Sequence, residues 1–286
     1  MGRPYFQFAL TASERIYLSS SGRISADSFD SMDPLASTDG RYDASKARER
    51  GDVACLNGWP GTLVLSNAQI AGTLRTVPGA LPLLGSRSAV GSKAWLLSGQ
   101  TGIEPGHFAT NLSLSLPAVA LPFNVGFTPS GGWITNVVNS TTNVAWYDYV
   151  LHDGNYYIST LFGSVYVKGR AALYVTTSLS MFRLVIETNQ SLDLYCSAES
   201  AIITGDHDRP APSFRFWGLP SCQSLEFLQA TNFAGAVYAP SADAHFGIGG
   251  NTPLEFSGAL VSRCARFHGK VNIHFDESLI RTGPVY

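Results

Sequence analysis

Charge is scarce in this chain. Asp, Glu, Lys and Arg make up 14% of its 286 residues, against about a quarter in ordinary globular domains. The net charge of −2 offers no global field to nucleic acid or anionic lipid. The one basic cluster, Arg41, Lys46, Arg48 and Arg50 beside Glu49, reads as a solvated loop or helix face. Long apolar runs are also missing. The longest candidate, Leu112 to Phe127, is interrupted by Pro117 and Pro122, short of the roughly 18 residues a membrane helix needs. The start, Met1-Gly-Arg-Pro-Tyr-Phe-Gln-Phe8, lacks the apolar core of a secretory leader. The four cysteines, Cys55, Cys196, Cys222 and Cys264, contain no Cys-x-x-Cys pair, which argues against a zinc ribbon or thioredoxin-type site. Their number leaves two disulfides or buried free thiols open. Gly-x-Ser-x-Gly elbows, P-loops and dinucleotide fingerprints are absent.

What the chain has in quantity is glycine, 28 residues of it, and a short pattern built around it. Apolar-x-Gly-x-apolar recurs at Ile70–Leu74, Leu161–Val165, Phe233–Val237 and Phe256–Leu260, centred on Gly72, Gly163, Gly235 and Gly258. The last two copies lie 23 residues apart, and their flanks match as well, Ala242 with Ala265 and His245 with His268. Self-similarity at that period is the length of one solenoid coil. The flanking apolar positions alternate with period two and so face one side. Glycine in mid-strand suits a bend or a close backbone approach.

Short alternating runs dominate the rest. Strands are expected at Tyr5–Leu10, Arg15–Leu18 and Ile24–Phe29, with a polar turn at Ser19–Gly22. More regular strands follow from Tyr156 onward. Ala44 to Arg50 is the best short helix, and no amphipathic helix of normal length occurs, which disfavours α/β wrapping. These features predict one elongated all-β domain over 1–286, a right-handed parallel β-helix with at most one short helix. Segments 31–50 and 77–110 are expected as irregular insertions or flank covers. A β-sandwich is the runner-up, because strand spacing does not fix strand direction. The ends of such a coil stack need caps, for which 39–50 and 276–286 are candidates.

The segments Phe233-Ala-Gly-Ala-Val-Tyr-Ala-Pro-Ser-Ala-Asp243, Phe256-Ser-Gly-Ala-Leu260 and Ile273-His-Phe-Asp-Glu-Ser-Leu279, with Ile24-Ser-Ala-Asp-Ser-Phe-Asp-Ser31 near the start, carry a resemblance. Together they resemble a β-helical domain of unknown function found in bacterial envelope proteins with a PilX-like, pilus-assembly N-terminal anchor. That domain is loosely similar to bactofilin-type polymer-forming repeats. The resemblance implies a cell-envelope or extracellular location with an anchor outside this sequence. The chain's lack of an apolar leader keeps a cytoplasmic location as the alternative. No activity comes with the resemblance.

Candidate sites follow from chemistry-bearing residues. His274 and Asp276 share one face of a strand and could form a metal or acid–base pair; a lone His-x-Asp more often ends a coil. Asp206 and Asp208 flank His207 on a loop that could hold a divalent cation. Asp27, Asp30 and Asp33 lack the spacing of an EF-hand and read equally as a self-bonded turn. His245 and His268 recur at coil spacing and are expected to stack. Trp133, Trp146, Tyr147 and Tyr149 could make a sugar-stacking platform or a solenoid cap. No carboxylates converge as polysaccharide hydrolysis requires. The expected function is therefore a non-enzymatic structural or adhesive module, with partners among envelope proteins, glycans and further copies joined through coil ends. The alternative is a carbohydrate-binding or carbohydrate-active β-helix protein: a lectin, lyase or hydrolase.

Overall fold

A computed structural model describes residues 2–18, 22–138, 141–228, 231–247 and 252–286, with the backbone alone at 136–138 and 141–143. The turn expected at Ser19–Gly22 falls mostly outside these residues. The protein is all-β. Its first section holds β1 (Leu10–Leu18), β2 (Ile24–Phe29), β3 (Val53–Cys55), β4 (Leu63–Leu65), β5 (Ala68–Ala71), β6 (Leu74–Thr76), β7 (Leu83–Leu84), β8 (Ala89–Gly91), β9 (Gly102–Ile103) and β10 (Phe108–Ala109). The second holds β11 (Ser130–Val138), β12 (Thr141–Leu151), β13 (Gly154–Val167), β14 (Arg170–Ile186), β15 (Ser191–Cys196) and β16 (Ser200–Thr204). It continues through β17 (Phe214–Gly218), β18 (Ser224–Leu228), β19 (Asn232–Phe246), β20 (Leu254–Phe267) and β21 (Val271–Asp276).

Among these strands every ladder is parallel except the β11–β12 hairpin, which excludes two packed antiparallel sheets. The offsets are those of a repeating path: Leu192 pairs with Phe214, Arg215 with Ala236, and Ala236 with Ala259. Long strands turn corners. The first part of β14 joins β15, β17 and the first part of β19, while its second part joins β16, β18 and the end of β19. These pairings close a ring of six parallel strands, flanked by outer strands. In the core, Phe227 and Phe246 of the ring and Phe267 of the neighbouring β20 stack at 4.3 and 5.1 Å between ring centres, all fully buried. Such a column adds specific aromatic contact to the area each ring removes from water.

The order of strands differs from the order of the chain. β1 pairs with β20 on one side and with β3 and β4 on the other, and β2 lies likewise between β21 and β5. The chain therefore starts in the middle of the stack and builds outward through β3–β10. It then runs back as an extended segment over residues 110–129, where prolines, having no N–H, cost no ladder bonds. Tyr238 donates to the Pro117 carbonyl and Phe123 packs edge-on to Tyr174 and Tyr195. From the hairpin the strands β12–β21 return to meet the first ones. The candidate caps at 39–50 and 276–286 thus sit mid-stack, and β1 presents no open edge.

Local expectations needed other corrections. Two short α-helices occur, α1 (Lys93–Leu97) and α2 (Ser278–Thr282). α1 lies in the 77–110 segment expected as irregular, which also carries β7–β10. Ala44–Arg50 is only a 3-10 turn at Ala44–Lys46, capped by Asp43, because the chain then extends to bridge Arg48 with Ser28. Of the two early strands expected, Tyr5–Leu10 is irregular up to Ala9, and Arg15–Leu18 is the second part of β1, which carries a register shift between Ala12 and Arg15. Of the four glycines, Gly235 and Gly258 are direct partners, while Gly163 faces Met181 and Gly72 ends β5. The 23-residue match holds to Ala239–Ser262. A register shift then pairs Ala244, not Ala242, with Ala265, and His245 with Arg266. The His245 and His268 rings still stack, at 6.2 Å. All four cysteines are buried free thiols.

Candidate binding site at the junction of the chain ends

The two boxes quoted from opposite ends of the chain, Ile24–Ser31 and Ile273–Leu279, lie side by side as β2 and β21. Their inward residues, such as Ile24 and Ala26 against Val271 and Ile273, join the core. Their outward residues build a polar array. Across β2, β21, β20 and β19 one row reads Ser25, Asn272, Glu255, Asn232, and the next reads Asp27, His274, Ser257, Ala234. Loops carrying Arg41, Tyr42, Asp208 and Arg209 wall this array into a cavity of about 530 Å3.

His274 is its centre. Its Nδ1 lies 2.6 Å from Asp27 and its Nε2 2.8 Å from Glu255, and the residue is 4% exposed. Tyr42 stacks over the imidazole at 3.5 Å and donates its hydroxyl to Asp27 at 2.7 Å. Burial works against a charged imidazole, but the two carboxylates outweigh it and hold His274 above its ordinary value. Burial would raise Glu255, yet bonds from His274 and Asn272 keep it below its usual range. Burial and the neighbouring Asp27 push the Tyr42 phenol far upward. Both ring nitrogens face carboxylate oxygens, which accept and do not donate, so this geometry calls for an N–H at each and commits both. His274 has no free nitrogen with which to act as base or metal ligand.

Beneath the array a second network locks the same strands. Ser28 donates to Glu277 at 2.9 Å. Arg281 on α2 reaches both oxygens of the buried Asp30 at 2.9 and 2.7 Å, and Arg48 meets Asp30, Asp33 and Glu277. Asp276 accepts N–H bonds from Ser31 and Ser278, and burial raises its carboxyl above the ordinary value.

The predicted site residues are distributed as follows. His274 and Asp276 serve different networks and do not pair with each other. Asp206 accepts from the Thr231 and Asn232 N–H groups, while Asp208 pairs with Arg41 at 3.3 Å; they do not converge. Among the described residues no three His, Cys, Asp or Glu side chains group to hold a metal ion. Trp133 and Trp146 face each other across the hairpin at 5.5 Å and are 68% and 49% exposed. Tyr147 points the other way, buried against Tyr166 with Arg183 over its ring, and Tyr149 is half-buried. Glu255, Asn272, Tyr42 and Arg209 were not singled out from sequence. The available signal was a polar pair two residues apart in each of three strands: Ser25 and Asp27, Glu255 and Ser257, Asn272 and His274.

Comparison with known proteins bears on the strands that carry this array. Residues 134–282, from the hairpin to the end of α2, match one family's pattern. The chain belongs to the family described as a domain of unknown function, DUF7305. The matched stretch includes Glu255, Asn272 and His274, whereas Ser25, Asp27 and Tyr42 come from outside it. No curated protein and no solved structure matches the chain.

Proposed function

We propose that this chain is a non-enzymatic structural and adhesive module, built as a right-handed parallel β-helix and displayed in a bacterial cell envelope. The observation that carries the reading is the state of His274. The His274 imidazole in the polar cavity is fixed by two carboxylates and a stacked tyrosine, so the network organises a surface rather than moving protons. Hydrolysis of a glycan needs one carboxyl to donate and another to attack or activate water, and both carboxylates beside His274 are already engaged. The resemblance to domains of pilus-associated, PilX-like envelope proteins and polymer-forming repeats supports the location. The exposed Trp133–Trp146 pair supports an adhesive surface. Among the described residues no helix is long and apolar enough to cross a membrane. Fractionation of the native host with an antibody to the domain should recover it with the envelope, and incubation with a polysaccharide panel should release no reducing ends. Recovery in the cytoplasm, or turnover abolished by Glu255→Gln, would overturn the reading.

A further inference from the structure

From the geometry of the polar array we infer that it is a binding groove for a linear, uncharged oligosaccharide lying along the stack axis, across the strands. This deepens the adhesive half of the proposed function and rests on it. Each row crosses four parallel strands, so its side chains repeat every 4.7–4.9 Å or so over a span of about 14 Å. A ligand matching it must be extended and must offer polar groups at short, regular intervals. The charges cancel: Asp27, Glu255 and Asp208 are balanced by the His274 imidazolium, Arg41 and Arg209. A charged ligand therefore gains no net field, whereas neutral hydroxyls find acceptors on the floor and donors on the rim. Each oxygen of Asp27 and Glu255 accepts one bond from the protein and keeps lone pairs for a hydroxyl donor. Asn272 is itself fixed by Ser25 at 2.5 Å. The buried His274 holds both carboxylates in place, so little ordering remains to be done on binding. Small residues, Ala44, Ala234 and Ser257, keep the cavity open.

Isothermal titration of the whole chain with cellotetraose, chitotetraose and maltotetraose, and with a hyaluronan tetrasaccharide as acidic control, tests the groove. At least one neutral probe should bind saturably and the acidic one no better. Asn232→Ala, at an exposed strand start outside the His274 network, should weaken binding about tenfold, the loss of one good hydrogen bond. Ser25→Ala should act in the same direction, with unfolding curves confirming that both variants fold. Failure of all neutral probes, binding of the acidic probe alone, or wild-type affinity in both groove variants would overturn the groove. An envelope location without oligosaccharide binding would remove this inference and leave the structural reading standing. Binding by a cytoplasmic protein would do the reverse.

Discussion

At the scale of single residues, two histidines set opposite pH dependences. His274 is raised in the folded protein, so its contribution is complete below the unfolded value near 6.5 and is lost as pH climbs through its folded value. His207, 3% exposed between Phe214 and Phe233, is lowered to about 4 by burial. Its protonation favours unfolding, which removes on the order of 3 kcal/mol as pH falls from about 6.5 to about 4. Melting temperature measured against pH should therefore peak near 6.5, and His274→Gln should flatten the alkaline limb only. Glycine gives a second residue-scale test. Gly258 has φ +140° and its missing Cβ would strike the Gly235 carbonyl, so Gly258→Ala should cost about 3 kcal/mol or more. Gly79, with open space around it, should lose only its left-handed backbone preference, about 1 kcal/mol on changing to Ala. Chemical denaturation of both variants checks the contrast.

At the scale of elements, α2 and the 31–50 segment act as a clasp over β2 and β21. The guanidinium of Arg281 is 54% exposed while Asp30 is 4% exposed, so Arg281→Ala loses a screened ion pair but leaves a carboxylate under-satisfied. We expect a loss of about 1–2 kcal/mol in denaturant unfolding. Asp30→Asn should cost less, since it removes the buried charge along with its partner's role. Much of this element layer was legible beforehand. Period-two alternation located most strands from Tyr156 onward, and the paired glycines Gly235 and Gly258 marked a true stacking register. What escaped is instructive. The His245–His268 offset failed because a two-residue register shift lies between Ala239 and Asp243, and nothing in those side chains announces it. The His274 network escaped because its partners Asp27 and Tyr42 lie more than 200 residues away along the chain. Sequence spacing shows which residues share a strand face, not which distant strand lies beside it.

At the scale of the whole molecule, the stack has two unlike ends. One finishes in the two-residue strands β7, β9 and β10. The other carries the hairpin, whose inner face is held by Ile134 and Tyr147 against Tyr166 and whose outer face leaves Trp133 and Trp146 bare. Replacing both tryptophans with serine should leave stability within about 1 kcal/mol, as for exposed positions. It should reduce adsorption to isolated envelope material, read by a pull-down, and unchanged adsorption would take this face out of the adhesive surface. The chain ends belong to neither extremity. Arg3 and Tyr286 exchange N–H···O bonds of 3.0 and 2.9 Å, and Tyr5 bonds the Pro284 carbonyl. A tether fastened to either terminus would therefore hold the fold beside β1, between the short-stranded edge and the hairpin, leaving both of those faces clear to meet separate neighbours. Pulling on both termini together would also open this short seam bond by bond, before the parallel ladders carried any load.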